Sequence, residues 1–187
     1  MQLTGIILAG GKSSRMGKDK ALLELEGQTL LQRAIHFCQS FCGEILISSK
    51  SLKHKVDGIQ IVSDEINDCG PIGGIYSCLK KSKNDWNFVI SVDAPFVEID
   101  FVSFLVAQKE DFDAVVPVHK SGREPLIALY NKNAIDDFKL QIESGNFKMY
   151  FLLQQIKTNF VSVDDWLDKY SDLFRNLNFP EDLNSVF

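Results

Sequence analysis

The residues best suited to chemistry in this chain lie in one loop near the start of the sequence. An apolar run, Ile6–Leu8, leads into positions 9–20, which contain three glycines and four cations. The cations are Lys12, Arg15, Lys18 and Lys20. Glycines let main-chain N–H groups approach an anion closely, because no Cβ stands in the way, and the cations supply charge for several phosphate oxygens. A buried strand that leads into such a loop predicts a binding site for nucleotide phosphates.

Two common glycine-rich phosphate motifs do not fit this loop. A P-loop requires a glycine five residues before the Gly-Lys-Ser/Thr end, and the residue five before Gly11 is Ile6. The dinucleotide fingerprint Gly-x-Gly-x-x-Gly does not match the spacing of Gly10, Gly11 and Gly17 either. A glycine- and serine-rich surface turn with solvated lysines is the structural alternative to a binding loop.

The unbroken pattern Leu-Ala-Gly-Gly-x-Ser-x-Arg-Met-Gly-x-Asp-Lys at 8–20 resembles the signature of the sugar-nucleotidyltransferase-like superfamily. In particular, it is similar to that of molybdenum cofactor guanylyltransferases. The resemblance implies that Arg15 and Lys20 act in catalysis by stabilising the departing pyrophosphate. It also implies a set of GTP-binding residues in this loop: Leu8, Ala9, Gly10, Gly11 and Lys20.

A second candidate residue, Asp93, follows the apolar run 88–92 directly and precedes a chain reversal at Pro95. A carboxylate at the carboxyl end of a strand can hold Mg²⁺, which prefers oxygen ligands and bridges to phosphate. By itself the pattern also fits an aspartate that caps a turn before proline. Beside the Lys20 loop, Asp-x-Pro matches the metal-binding aspartate of the resembled family, which implies catalytic, GTP-binding and metal-binding roles for Asp93.

Two further residues follow strand-like runs. Asp64 comes after 61–63 and matches the family's aspartate near the nucleoside, although a turn aspartate would have the same pattern. Ser48 ends the run 44–48 at a place where family members often carry asparagine, so the base contact is expected to differ here. Gly70-Pro71-Ile72-Gly73-Gly74 resembles the family's Gly-Pro-Leu-x-Gly, and Pro71 suits the first turn of a helix. Because the Ser48 side chain is too short to replace an asparagine amide, we expect main-chain groups of Leu8–Gly10 to read the guanine base.

The acceptor side of the site is also implied by resemblance. The stretch 123–126, Arg-Glu-Pro-Leu, is similar to the family loop that faces the acceptor, and a solvated charged hairpin is the alternative. Near the C-terminus, Asn-Leu-Asn-Phe-Pro-Glu-Asp-Leu at 176–183 resembles the family's Asn-x-Asn-Thr-Pro-Glu-Asp-Leu, with Phe179 in place of threonine. The possible acceptor-binding residues are Arg123, Lys148, Asn176 and Asn178.

The elements that must position these residues alternate between short apolar runs and helical patterns. Continuous apolar strands suit a mostly parallel sheet that is covered on both faces. Together they predict a single-domain α/β fold over 1–187, Rossmann-like and doubly wound, with ligands at the carboxyl ends of the strands. The predicted strands are 4–9, 44–48, 60–63, 88–92, 114–118, 126–130 and 159–163. The predicted helices are 29–41, 72–81, 100–108, 132–144 and 149–156.

Composition limits the possible partners. The chain is 45% hydrophobic, has a formal net charge of −5 and contains no long basic run, which argues against nucleic acid as a partner. No apolar stretch approaches membrane-spanning length and no leader pattern precedes the first strand, so we expect a cytoplasmic protein without membrane contact.

The cysteines, histidines and aromatic residues have plainer interpretations. Cys38 and Cys42 are one helical turn apart and are expected to be buried reduced thiols. The three histidines are far apart in sequence and are expected on the surface or in helices. The aromatic residues of the final third are expected to pack in the core and against helices. They are Phe147, Tyr150, Phe151, Phe160, Trp166, Tyr170, Phe174 and Phe179.

The resemblance implies a Mg²⁺-dependent guanylyltransferase that joins GMP from GTP to the phosphate of molybdopterin, or molybdenum-bearing molybdopterin, and releases pyrophosphate. Cofactor-biosynthesis proteins or apo-molybdoenzymes are further expected partners. Three alternatives remain open at this point: a cytidylyltransferase or sugar-phosphate nucleotidyltransferase on the same fold, a P-loop enzyme, and a non-catalytic nucleotide or cofactor carrier. The failed spacing at Ile6 disfavours the second alternative, and the presence of both Lys20 and Asp93 disfavours the third.

Overall fold

A computed structural model describes residues 2–10, 19–177 and 182 of the chain. Its central sheet has the strand order β10-β7-β9-β6-β1-β4-β5, with the short β8 paired to β7. The strands are β1 (Thr4–Leu8), β4 (Glu44–Ser48), β5 (Gln60–Val62), β6 (Trp86–Ser91), β7 (Ala114–His119), β8 (Gly122–Arg123), β9 (Ile127–Asn131) and β10 (Thr158–Ser162). A separate two-stranded hairpin consists of β2 (Glu24–Leu25) and β3 (Gln28–Thr29).

Most neighbouring strands are parallel, and β9 runs against both of its neighbours, β6 and β7. In register, Leu8 lies opposite Ser48 on one side and Ser91 on the other. The chain moves outward from β1 to β4 and β5, and then returns to place β6 on the other side of β1. This change of direction leaves a crevice at the carboxyl ends of β1 and β6, where α/β proteins usually bind ligands.

Helices cover both faces of the sheet. They are α1 (Leu30–Gln39), α2 (Pro71–Lys81), α3 (Ile99–Ala107), α4 (Ile135–Glu143), α5 (Met149–Gln155) and α6 (Asp164–Lys169). Successive residues of β1 point to opposite faces, so Ile7 joins the core beneath α1 and α3 while Ile6 joins the core beneath α2 and α4. Both side chains are fully buried. The two apolar layers fix β1 and β6 on both faces and so hold their polar ends in place.

Local sequence explains where the two helices nearest the crevice begin. At the start of α1, the Thr29 hydroxyl accepts from the Gln32 N–H and the Gln32 side chain accepts from the Thr29 N–H, which forms a capping box. At the start of α2, Pro71 occupies the first turn, where its missing N–H costs nothing, and Gly70 has a positive φ of 65°.

The predicted fold class is confirmed, and each predicted strand and helix has a counterpart with bounds within two residues, apart from the start of α4, which lies three residues later than predicted. The hairpin β2–β3, the short β8 and helix α6 were not predicted. Cys38 is buried as expected, whereas Cys42 is only partly buried. No helix within the described part of the chain is long and apolar enough to cross a bilayer.

His54 lies in the short 3-10 helix Leu52–His54, in keeping with the expectation of a surface or helical position, but it is 2% exposed, and Asp19 and Ser49 bind its two ring nitrogens. The prediction that the aromatic residues of the final third all pack in the core or against helices is wrong in part. The aromatic residues divide into two groups: Trp166, Tyr170 and Phe174 pack against the core, but others remain exposed. The exposed aromatic residues are Phe147, Tyr150, Phe151 and Phe160. Phe179 lies outside the described residues.

Candidate active site

A cavity of about 660 Å³ opens at the carboxyl edge of β1, β4 and β5 and reaches the start of α2. The end of β1 contributes Leu8, Ala9 and Gly10, and the end of β4 contributes Ser48. Asp64, Ser91 and Leu126 also line it. The cavity therefore brings together loop ends that are far apart in the sequence, at the edge where the strand pattern predicts a ligand.

Several main-chain groups at the end of β1 already form hydrogen bonds within the protein. The Ala9 and Gly10 N–H groups both donate to the Ser48 carbonyl, at 3.1 and 3.0 Å. The Leu8 carbonyl accepts the Val92 N–H at 3.2 Å. Of the main-chain groups of Leu8–Gly10 that were expected to read the base, the N–H groups of Ala9 and Gly10 are therefore already paired within the fold. No residue in the described part of the chain donates to the carbonyl groups of Ala9 and Gly10, and a carbonyl can only accept.

Lys20 and Asp93 meet across the crevice. The Lys20 Nζ lies 3.1 Å from Asp93 Oδ2, and the Ser91 hydroxyl donates to Asp93 Oδ1 at 2.6 Å. Both charged side chains keep partial access to solvent, at 25% and 20% exposure. Asp93 follows β6, and Lys20 begins a single 3-10 turn at Lys20–Leu22. The sequence did not single out Ser91; its position two residues before a strand-end aspartate is the signal that could have found it.

The C-terminal segment also reaches this place. The Leu177 N–H donates to the Asp93 carbonyl at 2.8 Å, and the Leu177 side chain is 1% exposed. Asn176, the preceding residue, is therefore held near the main chain of Asp93, and it is exposed. Asn178 lies outside the described residues, as do Gly11 and Arg15 in the glycine-rich loop.

The opposite wall of the cavity contains the Ser48–Asp64 pair. The Ser48 hydroxyl lies 3.4 Å from Asp64 Oδ1 and is 4% exposed. A Cβ on Gly74 would fall within 2.4 Å of that hydroxyl, so only glycine lets α2 approach this closely. Burial raises the pKa of the Asp64 carboxyl above its ordinary value, and the Lys50 ammonium and the Ser48 hydroxyl oppose that effect in part.

The residues predicted for the acceptor are placed less centrally. Arg123 is exposed at the hairpin of β7 and β8, where its guanidinium stacks on Phe160 at 4.3 Å and lies 5.2 Å from the ring of Tyr150. Lys148 is an exposed residue at the start of α5, two residues before Tyr150. The two cations thus belong to one surface, but no described contact joins either of them to Asp93.

The connection from that surface to the cavity is rigid. The Tyr130 hydroxyl donates to the Pro125 carbonyl at 2.8 Å, and the Ser91 N–H donates to the Leu126 carbonyl at 3.1 Å. Tyr130 is fully buried. The stretch 123–126 therefore begins at the exposed cationic surface and ends at the cavity wall beside Asp93.

Comparison with known proteins agrees with this arrangement. A family model described as the MobA-like NTP transferase domain matches residues 5–158. The chain belongs to the MobA-like NTP transferase family. It is 31% identical to a probable molybdenum cofactor guanylyltransferase of Halalkalibacterium halodurans, over 96% of this chain and 95% of that protein. It is 34% identical to a molybdenum cofactor guanylyltransferase of Vibrio atlanticus, over 97% and 94%.

Solved structures have the same fold. The crystal structure of molybdopterin-guanine dinucleotide biosynthesis protein A from Archaeoglobus fulgidus superposes with a TM-score of 0.84, at 25% identity, and covers 98% of this chain and 96% of that one. A cytidylyltransferase of Thermus thermophilus, which acts on 2-C-methyl-D-erythritol 4-phosphate, superposes with a TM-score of 0.73 at 15% identity and covers 98% and 96%. The second likeness shows the fold alone. As a member of the MobA-like family, the chain is a nucleotidyltransferase, and the cavity described above is its candidate active site.

Proposed function

We propose that this chain is a guanylyltransferase that joins GMP from GTP to the phosphate of molybdopterin or molybdenum-bearing molybdopterin. The products are molybdopterin guanine dinucleotide and pyrophosphate. The names of the relatives support this substrate pair, and the observation that carries the chemistry is the Lys20–Asp93 pair at 3.1 Å beside the cavity. We further propose that 1–187 acts as a single nucleotidyltransferase domain in the cytoplasm.

The reaction needs positioning more than proton transfer. An oxygen of the acceptor phosphate attacks the α-phosphorus of GTP, a new P–O bond forms, and the bond to the bridging α,β oxygen breaks. The electron pair of that bond leaves with pyrophosphate. A phosphate monoester has a second pKa near 6, so the acceptor is already a nucleophile at neutral pH and needs no general base. The protein must instead bring several anions together, which cations and oriented dipoles can do.

Asp93 is the residue we propose as the protein ligand of Mg²⁺. Mg²⁺ is usually held by one or two carboxylates together with substrate phosphates and water, so a single strand-end carboxylate can serve as its protein ligand. The donor set agrees: Asp93 is a partly exposed carboxylate whose Oδ2 already accepts a cation, the Lys20 ammonium. When bound, Mg²⁺ would offset negative charge at the α-phosphate.

The remaining roles are proposed from the family resemblance and, for the described residues, from their place at or beside the cavity. Lys20 contacts the phosphates and, with Arg15, stabilises the pyrophosphate that leaves. Ala9 and Gly10 offer main-chain acceptors at the base. A further set completes the nucleoside pocket, namely Leu8, Gly11, Ser48 and Asp64.

The acceptor pterin binds on the side of the 123–126 loop. We propose Arg123 and Lys148 as its cationic contacts, because both lie on the surface that leads to the cavity. Asn176 lies in the C-terminal segment, which Leu177 holds against the Asp93 main chain, and we propose it as a further acceptor contact. Asn178, outside the described residues, is proposed with it from the sequence pattern. Proteins of cofactor biosynthesis that deliver molybdopterin, and apo-molybdoenzymes that receive the product, are the proposed macromolecular partners.

One assay tests the proposal. Pyrophosphate release is measured with the full chain, molybdopterin and each of GTP, CTP and ATP, with Mg²⁺ or with a chelator. Release that requires GTP, acceptor and Mg²⁺ is the expected result. Preference for CTP would identify a cytidylyltransferase, and turnover with a sugar phosphate in place of the pterin would identify a sugar-phosphate enzyme. Nucleotide binding without release under any condition would identify a carrier.

A further inference from the structure

The end of β4 and the turn after it contact both ends of the glycine-rich loop. At the first end, the Ser48 carbonyl accepts the N–H groups of Ala9 and Gly10. At the second end, the His54 ring meets the Asp19 carboxylate, with Nε2 at 2.8 Å from Oδ2. Residues 11–18 lie between these two anchors and outside the described part of the chain. The first of these anchors, at Ser48, consists of main-chain hydrogen bonds alone. The second depends on the side chain of His54, to which the proposed reaction assigns no other role.

The second anchor is a chain of hydrogen bonds that runs back to the main chain. The Ser51 N–H donates to Ser49 Oγ at 3.0 Å, and Ser49 Oγ lies 2.6 Å from His54 Nδ1. An ionised carboxylate only accepts, so His54 Nε2 carries the hydrogen that Asp19 receives. In a neutral ring Nδ1 then accepts the Ser49 hydroxyl hydrogen. With this assignment both ring nitrogens of His54 have partners.

Burial shows that this arrangement is part of the fold. His54 and Ser49 are each 2% exposed, while Asp19 is about one-third exposed and lines the cavity with them. A buried polar ring whose nitrogens have no hydrogen-bond partner destabilises the folded state. An imidazole at this position is therefore compatible with the core only because Asp19 and Ser49 are there to bind it.

Through its two carboxylate oxygens, Asp19 also restrains the main chain around the next residue, Lys20. The other oxygen of Asp19, Oδ1, accepts the Ala21 N–H at 3.2 Å, and Ala21 is fully buried. Lys20 lies between these two fixed neighbours, and its Nζ reaches Asp93 at 3.1 Å. The main-chain position of Lys20 is thus set by His54 on one side and by apolar packing on the other.

We propose that His54 is a positioning residue for the nucleotidyl transfer: through Asp19 it holds Lys20 where the ammonium meets Asp93 and the phosphates. The hydrogen bonds of the His54 ring go to Asp19 and Ser49, so its effect on Lys20 passes through Asp19. This inference rests on the proposed function, since it assigns the effect of His54 to the reaction that Lys20 assists.

The test compares His54→Leu in two backgrounds, wild type and Lys20→Ala, by pyrophosphate release at saturating GTP and acceptor. Misplacement of a catalytic group by about 1 Å can cost on the order of 100-fold, so we expect kcat to fall roughly 10- to 100-fold in the wild-type background. We expect KM for GTP to change by less than about threefold, because the base pocket keeps its own contacts. In the Lys20→Ala background the same change should lower kcat by less than about threefold, since the group that it positions is already absent.

The controls separate the possible failures. His36→Leu removes a histidine that is exposed on α1 and should leave kcat unchanged. If His54→Leu does not fold, as judged by thermal unfolding, Ser49→Ala is measured in the same two backgrounds, because it removes the donor to Nδ1 and keeps the imidazole. Equal losses in both backgrounds, or no loss in the wild-type background, would overturn the positioning role while wild-type turnover upholds the guanylyltransferase. A wild-type chain that releases no pyrophosphate would overturn the proposed function itself.

Discussion

Lys20 Nζ and Asp93 Oδ2 lie 3.1 Å apart, although 73 residues separate them in the chain. The contact exists because β1 and β6 are neighbouring parallel strands whose carboxyl ends share one edge of the sheet. Each side chain is only partly buried, so the pair contributes little to stability, and solvent can compete for both charges. Under the proposed function, Lys20 would therefore be able to exchange Asp93 for a phosphate of the nucleotide, and Asp93 would be able to hold Mg²⁺.

The first prediction concerns Lys20→Ala. Loss of one charge-assisted contact to phosphate costs about 1.5–3 kcal/mol, which lowers turnover roughly 10- to 150-fold. The melting temperature should change little, because the ion pair that is lost is partly exposed. Pyrophosphate release and thermal unfolding are measured together, with the exposed Lys81→Ala on α2 as the matched control. Full turnover by Lys20→Ala would contradict the role of this loop.

Asp93→Asn should keep the fold and lose the response to Mg²⁺. The amide has nearly the same shape and can still accept the Ser91 hydroxyl, but it carries no charge for a divalent cation. We expect pyrophosphate release to become slow at every Mg²⁺ concentration. Asp57→Asn, at an exposed loop position, is the control and should titrate with Mg²⁺ like wild type. An unchanged rate and Mg²⁺ dependence in Asp93→Asn would mean that Asp93 only supports a turn.

Asp64→Asn should stabilise the protein near neutral pH and weaken nucleotide binding. Burial raises the pKa of Asp64 in the folded state, so the folded protein binds this proton more tightly than the unfolded chain does. The ionised group consequently costs stability above its folded-state pKa, and that cost disappears as pH falls through this pKa towards the ordinary value of 3.8.

The measurement is the melting temperature of wild type and Asp64→Asn from about pH 8 down to about pH 4. The variant should melt higher at the upper end, and the difference should shrink as the pH falls. A variant that is less stable than wild type at the upper end would contradict the argument. GTP affinity, measured in parallel, should fall. That result would show that the buried Asp64 carboxylate, which lowers stability, serves nucleotide binding.

Tyr130→Phe should affect the acceptor side alone. Burial raises the pKa of the Tyr130 hydroxyl, so the group stays a donor to the Pro125 carbonyl. Removal of the hydroxyl keeps the ring against Phe138 and should cost about 1–3 kcal/mol in the free energy of unfolding. The stretch 123–126 loses a fixed point, so KM for the acceptor should rise more than KM for GTP. Equal changes in both KM values would argue against an acceptor role for this loop.

The sequence predicted the sheet well because each strand is an apolar run that ends in a polar or turn residue. The direction of β9 could not be predicted, since the run 126–130 is equally apolar in a parallel or an antiparallel strand. The buried state of His54 could not be predicted either, because its partner Asp19 is 35 residues away. The surface position of Tyr150 and Phe160 could not be predicted for the same reason. Their partner is Arg123, which stacks on both rings from β8 and is distant from them in the sequence.

The sequence predicts candidate site residues where a motif places several residue types together, as at 8–20, of which the structure describes 8–10, 19 and 20. Asp93 and Lys20 were both expected at the nucleotide, but their direct contact depends on strand order, which no local pattern contains. The N–H groups of Ala9 and Gly10 could not be assigned from the sequence. The glycine-rich pattern suits ligand binding, but in the fold both N–H groups donate to the Ser48 carbonyl and hold the end of β1 there.

The last prediction concerns the base. The N–H groups of Ala9 and Gly10 already donate to Ser48, and no described residue donates to their carbonyl groups, so we expect a base that binds here to donate to those carbonyls. Guanine offers N1–H and its 2-amino group as donors, whereas adenine has no hydrogen on N1. We therefore expect GTP to bind better than ATP and CTP, and ITP, which lacks only the 2-amino group, to fall between GTP and ATP. One buried group left without a partner costs roughly 1–3 kcal/mol, or about 5- to 150-fold in affinity.

Ser48→Ala should weaken GTP binding only slightly, because it keeps the carbonyl that anchors β1 and loses only a 3.4 Å contact with Asp64. Titration of the four nucleotides into both proteins decides the matter: equal affinities in wild type would contradict guanine selection, and loss of GTP binding in Ser48→Ala would show that the hydroxyl reads the base.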